Sequence, residues 1–146
     1  MKRSQYTIFY TDDDQDDQDF FKEVIAEITP QHEIFTQNDG YELLKVLQNP
    51  PPSPHIVFLD LNMPKKSGYQ VLKEIREMDA AKTIPVVIFS TSSDDSAIKK
   101  TKELGANMYI TKPSSYTEFK KVLNSVLSLN WEKNLPSDNE FVLTIN

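Results

Sequence analysis

The chain has 146 residues, 26% of them charged and 38% hydrophobic, which suits one globular domain with a real core. It has no cysteine, which excludes disulfides, thiolate metal sites and cysteine nucleophiles, and its two histidines, His32 and His55, lie too far apart in sequence to suggest a histidine metal cluster. A net charge of −6 argues against nucleic acid as a partner. No apolar run reaches membrane-span length and no apolar h-region follows Met1-Lys2-Arg3, so neither a membrane anchor nor a signal peptide is expected and the compartment is read as cytoplasmic.

Tyr6 to Thr11 is rich in aromatic and β-branched residues and predicts a strand. Six aspartates follow between Asp12 and Asp19. Phe21, Val24, Ile25 and Ile28 then recur with helical spacing up to Pro30. His32 to Gln37 predicts a second strand, and Asn38-Asp39-Gly40 starts a helix with Leu43, Leu44 and Leu47 on its core face. Asn49 to Pro54, with three consecutive prolines, predicts a stiff extended connector. Ile56 to Leu59 is a continuous apolar run of strand length, as in a central strand buried on both faces. Asp60 falls at its end, Pro64 breaks any further ladder, and Gly68 opens a helix carrying Val71, Leu72, Ile75 and Met78. Ile84 to Ser90 is another apolar strand, ending in hydroxyls. Asp94 to Leu104 predicts a helix closed by Gly105, Asn107 to Thr111 a strand, and Ser115 to Leu129 the last helix.

Strands and helices in strict alternation, joined by short connections, predict an α/β fold with a parallel sheet covered on both faces. Five strands and five helices in this length fit the doubly wound, flavodoxin-like order 2-1-3-4-5. Ligand sites in such sheets lie beyond the carboxyl ends of the strands. Asp12 and Asp13, Asp60, Ser90 and Lys112 all fall on that edge. Three carboxylates crowd together in charged form only with a cation between them, and oxygen-only donors suit Mg²⁺. A lysine and a hydroxyl beside them suit a transferring phosphoryl group, with Asp60 as the nucleophile that forms an acyl phosphate.

These residues resemble the receiver domain of two-component response regulators, CheY-like, over Thr7 to Leu129. The motifs are Asp12-Asp13 after an apolar strand, Leu59-Asp-Leu-Asn-Met-Pro64 with Gly68, Pro85-Val-Val-Ile-Phe-Ser90, and Gly105-Ala106 leading to Tyr109-Ile-Thr-Lys-Pro113. The resemblance implies that Asp60 accepts a phosphoryl group from a phosphohistidine on a sensor histidine kinase or phosphotransfer protein. It implies Mg²⁺ held by Asp13, Asp60 and the backbone carbonyl of Asn62, with Asp12 acting through water. It implies that Lys112 and Ser90 contact the phosphoryl oxygens, that Lys112–Pro113 is cis, and that Tyr109 is a switch aromatic turning inward as Ser90 moves. The expected activity is that of a phosphoacceptor rather than a turnover enzyme, with output through contact with a downstream protein. An adaptor that keeps the fold and receives no phosphoryl group is the alternative.

Several competing expectations attach to particular residues. An EF-hand reading of Asp12, Asp14, Asp16 and Glu23 fails because Asp17 stands where the loop needs glycine. A phosphatase with an aspartate nucleophile would want an acid at position 62, which is Asn62. Asp14, Asp16, Asp17 and Asp19 are read as helix N-terminal charge, and Lys65 and Lys66 as solvated loop lysines. The expected domain is 1–130, with 131–146 a tail too short for an output domain. Strand propensity in Phe141 to Ile145 leaves three roles open for that tail: a homodimer contact involving it or Trp131, a docking strand for a partner, or a segment folded back on its own domain.

Overall fold

The computed structural model describes residues 6–28, 31–48 and 54–128, and the backbone of Val142–Leu143. The strands are β1 (Thr7–Thr11), β2 (Glu33–Gln37), β3 (Ile56–Leu59), β4 (Val86–Ser90), β5 (Met108–Thr111) and β6 (Val142–Leu143). The helices are α1 (Gln15–Ile28), α2 (Gly40–Gln48), α3 (Gly68–Glu77), α4 (Asp95–Glu103) and α5 (Tyr116–Leu127). All pairings are parallel, in the order β2-β1-β3-β4-β5-β6. The expected five-stranded order is present, and β6 extends it by pairing Val142 with Tyr109 and Leu143 with Ile110. Of the three roles left open for the tail, this pairing is the intramolecular one. The proline-rich connector before Pro54, Pro30, Leu129 and Trp131 lie outside the described residues.

Side chains alternate across a strand, so each strand supplies both faces of the sheet. Ile8, Tyr10, Ile56, Phe58, Val87, Phe89, Met108 and Ile110 pack with Phe21, Val24 and Ile25 of α1 and Phe119, Val122 and Leu123 of α5. Phe9, Val57, Leu59, Val86, Ile88 and Tyr109 take the other face, with Leu43 and Leu47 of α2, Val71, Leu72 and Ile75 of α3 and Ala97 of α4. Both sides of β3 and β4 are thus dry, which is why their sequences are unbroken apolar runs.

The amino-terminal edge of the sheet is fastened by side chains. His32 Nδ1 accepts the Tyr6 N–H at 2.8 Å, and His55 Nδ1 accepts the Thr7 N–H at 2.9 Å. Arg76, at the end of α3, donates Nε to the Gly105 carbonyl at 2.9 Å and Nη1 to the Ile84 carbonyl at 2.7 Å. Its Nη2 reaches Asn107 Oδ1 at 2.8 Å, and that same oxygen accepts the Val86 N–H at 2.8 Å. Gly105 has φ +103°, a left-handed conformation that favours glycine after a helix end, as the sequence led us to expect.

Candidate functional site

The ladder runs one residue past the strand ends. Thr11 lies opposite Leu59, and the Asp60 N–H then donates to the Thr11 carbonyl at 3.1 Å. The Lys112 N–H donates to the Ser90 carbonyl at 2.8 Å in the same way. Asp12, Asp60 and Lys112 continue the parity of Tyr10, Phe58 and Ile110, so all three emerge on the α1–α5 side of the sheet.

Carboxylate oxygens of Asp12, Asp13 and Asp60 lie within 4.8 Å of one another, with Asp12 and Asp60 buried and Asp13 exposed. Lys112 Nζ stands 2.8 Å from Asp12 Oδ2 and 3.7 Å from Asp60 Oδ2. Burial pushes the Asp60 carboxyl up to about 6; Lys112 and the Asn62 N–H pull it down, while the Asp12 and Asp13 charges add to the rise. Burial alone would lower the Lys112 ammonium, but its bond to Asp12 and the Asp60 and Asp12 charges outweigh that and hold it above the usual value. One ammonium thus faces more negative charge than it cancels. Closely set hard oxygen donors with surplus negative charge fit a divalent cation of the Mg²⁺ or Mn²⁺ kind.

Asn62 donates its backbone N–H to Asp60 Oδ1 at 3.3 Å. Ser90 is buried, and its Oγ accepts the Ser92 N–H at 3.2 Å. Tyr109 is fully buried, its hydroxyl donating to the Ser92 carbonyl at 2.7 Å. The Tyr109 ring is thus packed inside the fold and tied to the loop that follows Ser90. Three expectations are corrected, for the Lys112–Pro113 bond, for Asp17 and for Lys66. No described peptide bond is cis, so Lys112–Pro113 is trans. Asp17 is more than helix-end charge, since its Oδ2 takes a hydrogen bond from Lys112 Nζ at 3.0 Å. Of the two loop lysines, Lys65 is largely exposed, 3.7 Å from Asp39, whereas Lys66 is mostly covered, pairs with Glu74 and sits 4.8 Å over the Tyr41 ring.

Sequence reasoning missed two groups that fix the β1–α1 turn. Gln18, buried on α1, donates Nε2 to the Asp12 carbonyl at 2.7 Å and to Asn38 Oδ1 at 2.9 Å. The Tyr10 hydroxyl donates to Asp12 Oδ2 at 3.0 Å. The signal for Tyr10 was available, because residues i and i+2 of a strand face the same way. Burial and the adjacent Asp12 carboxylate hold its phenol well above its ordinary value, so it remains a donor at neutral pH.

The pattern described as the response regulator receiver domain matches residues 8–124. The chain belongs to that family. Its place is therefore in two-component signalling, and its sheet is the CheY-like one. The chain is 32% identical over 126 residues to response regulator Rcp1 of Synechocystis sp., spanning 83% of this chain and 86% of that protein. Response regulator RR06 of Streptococcus pneumoniae is 32% identical over 114 residues, and the chain spans about half of its length. Among solved structures, the phosphorylated cyanobacterial phytochrome response regulator RcpA superposes with a TM-score of 0.81 at 32% identity, covering 92% of this chain and 100% of that one. The Mn²⁺-bound form of Rcp1 gives 0.77 at 32% identity, over 90% and 99% of the two chains. Among the described residues no helix of this receiver domain is long and apolar enough to cross a membrane.

Proposed function

We propose that this receiver domain accepts a phosphoryl group on Asp60 from a phosphohistidine on a sensor histidine kinase or phosphotransfer protein, and signals by protein contact. The observation that carries the reading is the convergence of Asp12, Asp13 and Lys112 on the buried Asp60 carboxylate. An Asp60 oxygen attacks phosphorus in line, a P–O bond forms, the P–N bond breaks, and the donor imidazole leaves with the electron pair. Burial raises the Asp60 carboxyl, and the Lys112 ammonium, with a cation at the site, would favour its ionised, nucleophilic form. Lys112 Nζ needs to move little from 3.7 Å to meet an oxygen of the new group, and the Ser90 hydroxyl supplies a second donor. Asp12, Asp13 and Asp60, with the Asn62 carbonyl, would hold Mg²⁺, which neutralises charge on the transferring group.

The output is a population shift. Lys112 and Ser90 drawn to the acyl phosphate pull on the loop that Tyr109 holds through Ser92, which biases the face made by α4, β5 and α5. The chain acts as a phosphoacceptor with at most self-catalysed transfer and hydrolysis, in the cytoplasm, without nucleic acid or membrane as partner. RcpA is a phytochrome response regulator, so a phytochrome-type kinase is the donor class to try first. The test is intact mass after incubation with a small phosphodonor, with and without Mg²⁺, beside Asp60→Asn. One phosphoryl group that requires both Mg²⁺ and Asp60 is expected. No adduct, even with a stable phosphoryl mimic, would favour the adaptor.

A further inference from the structure

We infer that Tyr10 is a positioning residue for the cation site: its hydroxyl holds the Asp12 carboxylate in the orientation from which that side chain serves a divalent ion. The inference rests on the reading of Asp12, Asp13 and Asp60 as such a site. Tyr10 is 2% exposed, stacked on Phe21 at 4.1 Å between ring centroids and set edge-on to Phe89 at 6.3 Å. A phenylalanine would fill this aromatic cluster equally well and bring no polar group into it. The hydroxyl therefore adds nothing to packing, and its hydrogen bond goes to Asp12 Oδ2 at 3.0 Å. Asp12 Oδ2 also receives Lys112 Nζ at 2.8 Å, while Oδ1 receives the Asp14 N–H at 3.0 Å.

These donors differ in what happens to them during phosphotransfer. Lys112 also faces Asp60, and a phosphoryl group there draws it away from Asp12. The Tyr10 hydroxyl is fixed by a buried ring and stays. It leaves Oδ2 with a partner and the carboxylate plane unrotated while Lys112 changes hands. Outer partners that orient a metal-binding carboxylate matter to affinity, commonly by about 10–100-fold when removed.

Calorimetric titration of the full chain with MgCl₂ tests this. Tyr10→Phe, which removes one oxygen and keeps the ring, is expected to bind Mg²⁺ about 10-fold more weakly than wild type. Tyr10→Leu, which also lacks the hydroxyl, should weaken binding at least as much and serves if the first variant folds poorly. Phe21→Leu loosens the same cluster without touching the hydroxyl and should keep the wild-type affinity. In metal-free protein the Asp12 carboxyl carbon resonance should move in Tyr10→Phe and stay in place in Phe21→Leu. Equal affinity in wild type and Tyr10→Phe overturns the inference, and so does an equal loss in Phe21→Leu. Failure of wild type to bind Mg²⁺ at all refutes instead the underlying cation site.

Discussion

Replacing Gly68 by alanine presses directly on Asp60. A Cβ at position 68 would stand 2.4 Å from the Asp60 carbonyl oxygen and 2.7 Å from the Leu61 Cα, both backbone atoms. The Gly68 N–H already donates to the Leu61 carbonyl at 3.0 Å, so the loop is closed on itself and cannot swing aside cheaply. Relief to ordinary contact near 3.5 Å requires a retreat of about 1 Å by the loop or by the start of α3. Overpacking of this kind costs about 1–3 kcal/mol, against which alanine recovers up to about 1 kcal/mol of helix propensity. A net loss of about 1–2 kcal/mol is expected, lowering the melting temperature by about 3–6 °C. Because the shifted atoms carry the Asp60 carboxylate, phosphorylation by a small donor should slow by about 100-fold. Thermal melts read the first effect, and intact mass against time reads the second. Wild-type values of both in Gly68→Ala would refute the close approach; normal stability with a slow rate would refute the steric ledger alone.

Three further outcomes follow from the same contacts. The Asp60 carboxyl is raised in the fold to about 6, so its contribution is fully present below its unfolded value near 4 and lost as pH rises through 6. Metal-free Asp60→Asn should therefore exceed wild type in stability by about 3 kcal/mol at pH 8 and match it at pH 4, and Mg²⁺ should narrow the gap at pH 8; urea melts at both pH values check this. Lys112→Met leaves Asp12 and Asp60 buried without their ammonium and should cost about 3–5 kcal/mol in metal-free protein by urea melts, with part of that loss restored by Mg²⁺. Arg76→Lys cannot reproduce the fork that spans Gly105, Ile84 and Asn107 and should cost about 2–3 kcal/mol in melts while leaving Mg²⁺ affinity unchanged.

The strands of the core were legible because a strand buried on both faces must be apolar throughout, as Ile56 to Leu59 and Val86 to Phe89 are. The acidic residues and Lys112 were legible because parallel strands deliver their ends to one edge. Partnerships across long sequence separation were harder to see. Asp17 reads as a helix-end charge until the fold brings Lys112, 95 residues away in sequence, against it. Tyr10 reads as one more aromatic in a strand, although its spacing from Asp12 held the clue. Strand propensity marked Phe141 to Ile145 and left folding back on the domain open, but nothing in so short a strand says that β5 is the edge it joins.

The stapling of one edge of the sheet by His32, His55 and Arg76 gives the molecule a mechanical polarity. Strand spacing is pinned at that end, while at the opposite end the β–α loops meet through charged side chains, with Lys112 set among Asp12, Asp17 and Asp60. The domain thus has one end tied by fixed hydrogen bonds and one whose contacts depend on charge. A charge change at the loop end therefore acts on a frame whose other end is already tied, and its effect falls on the loops and helix starts around Asp60.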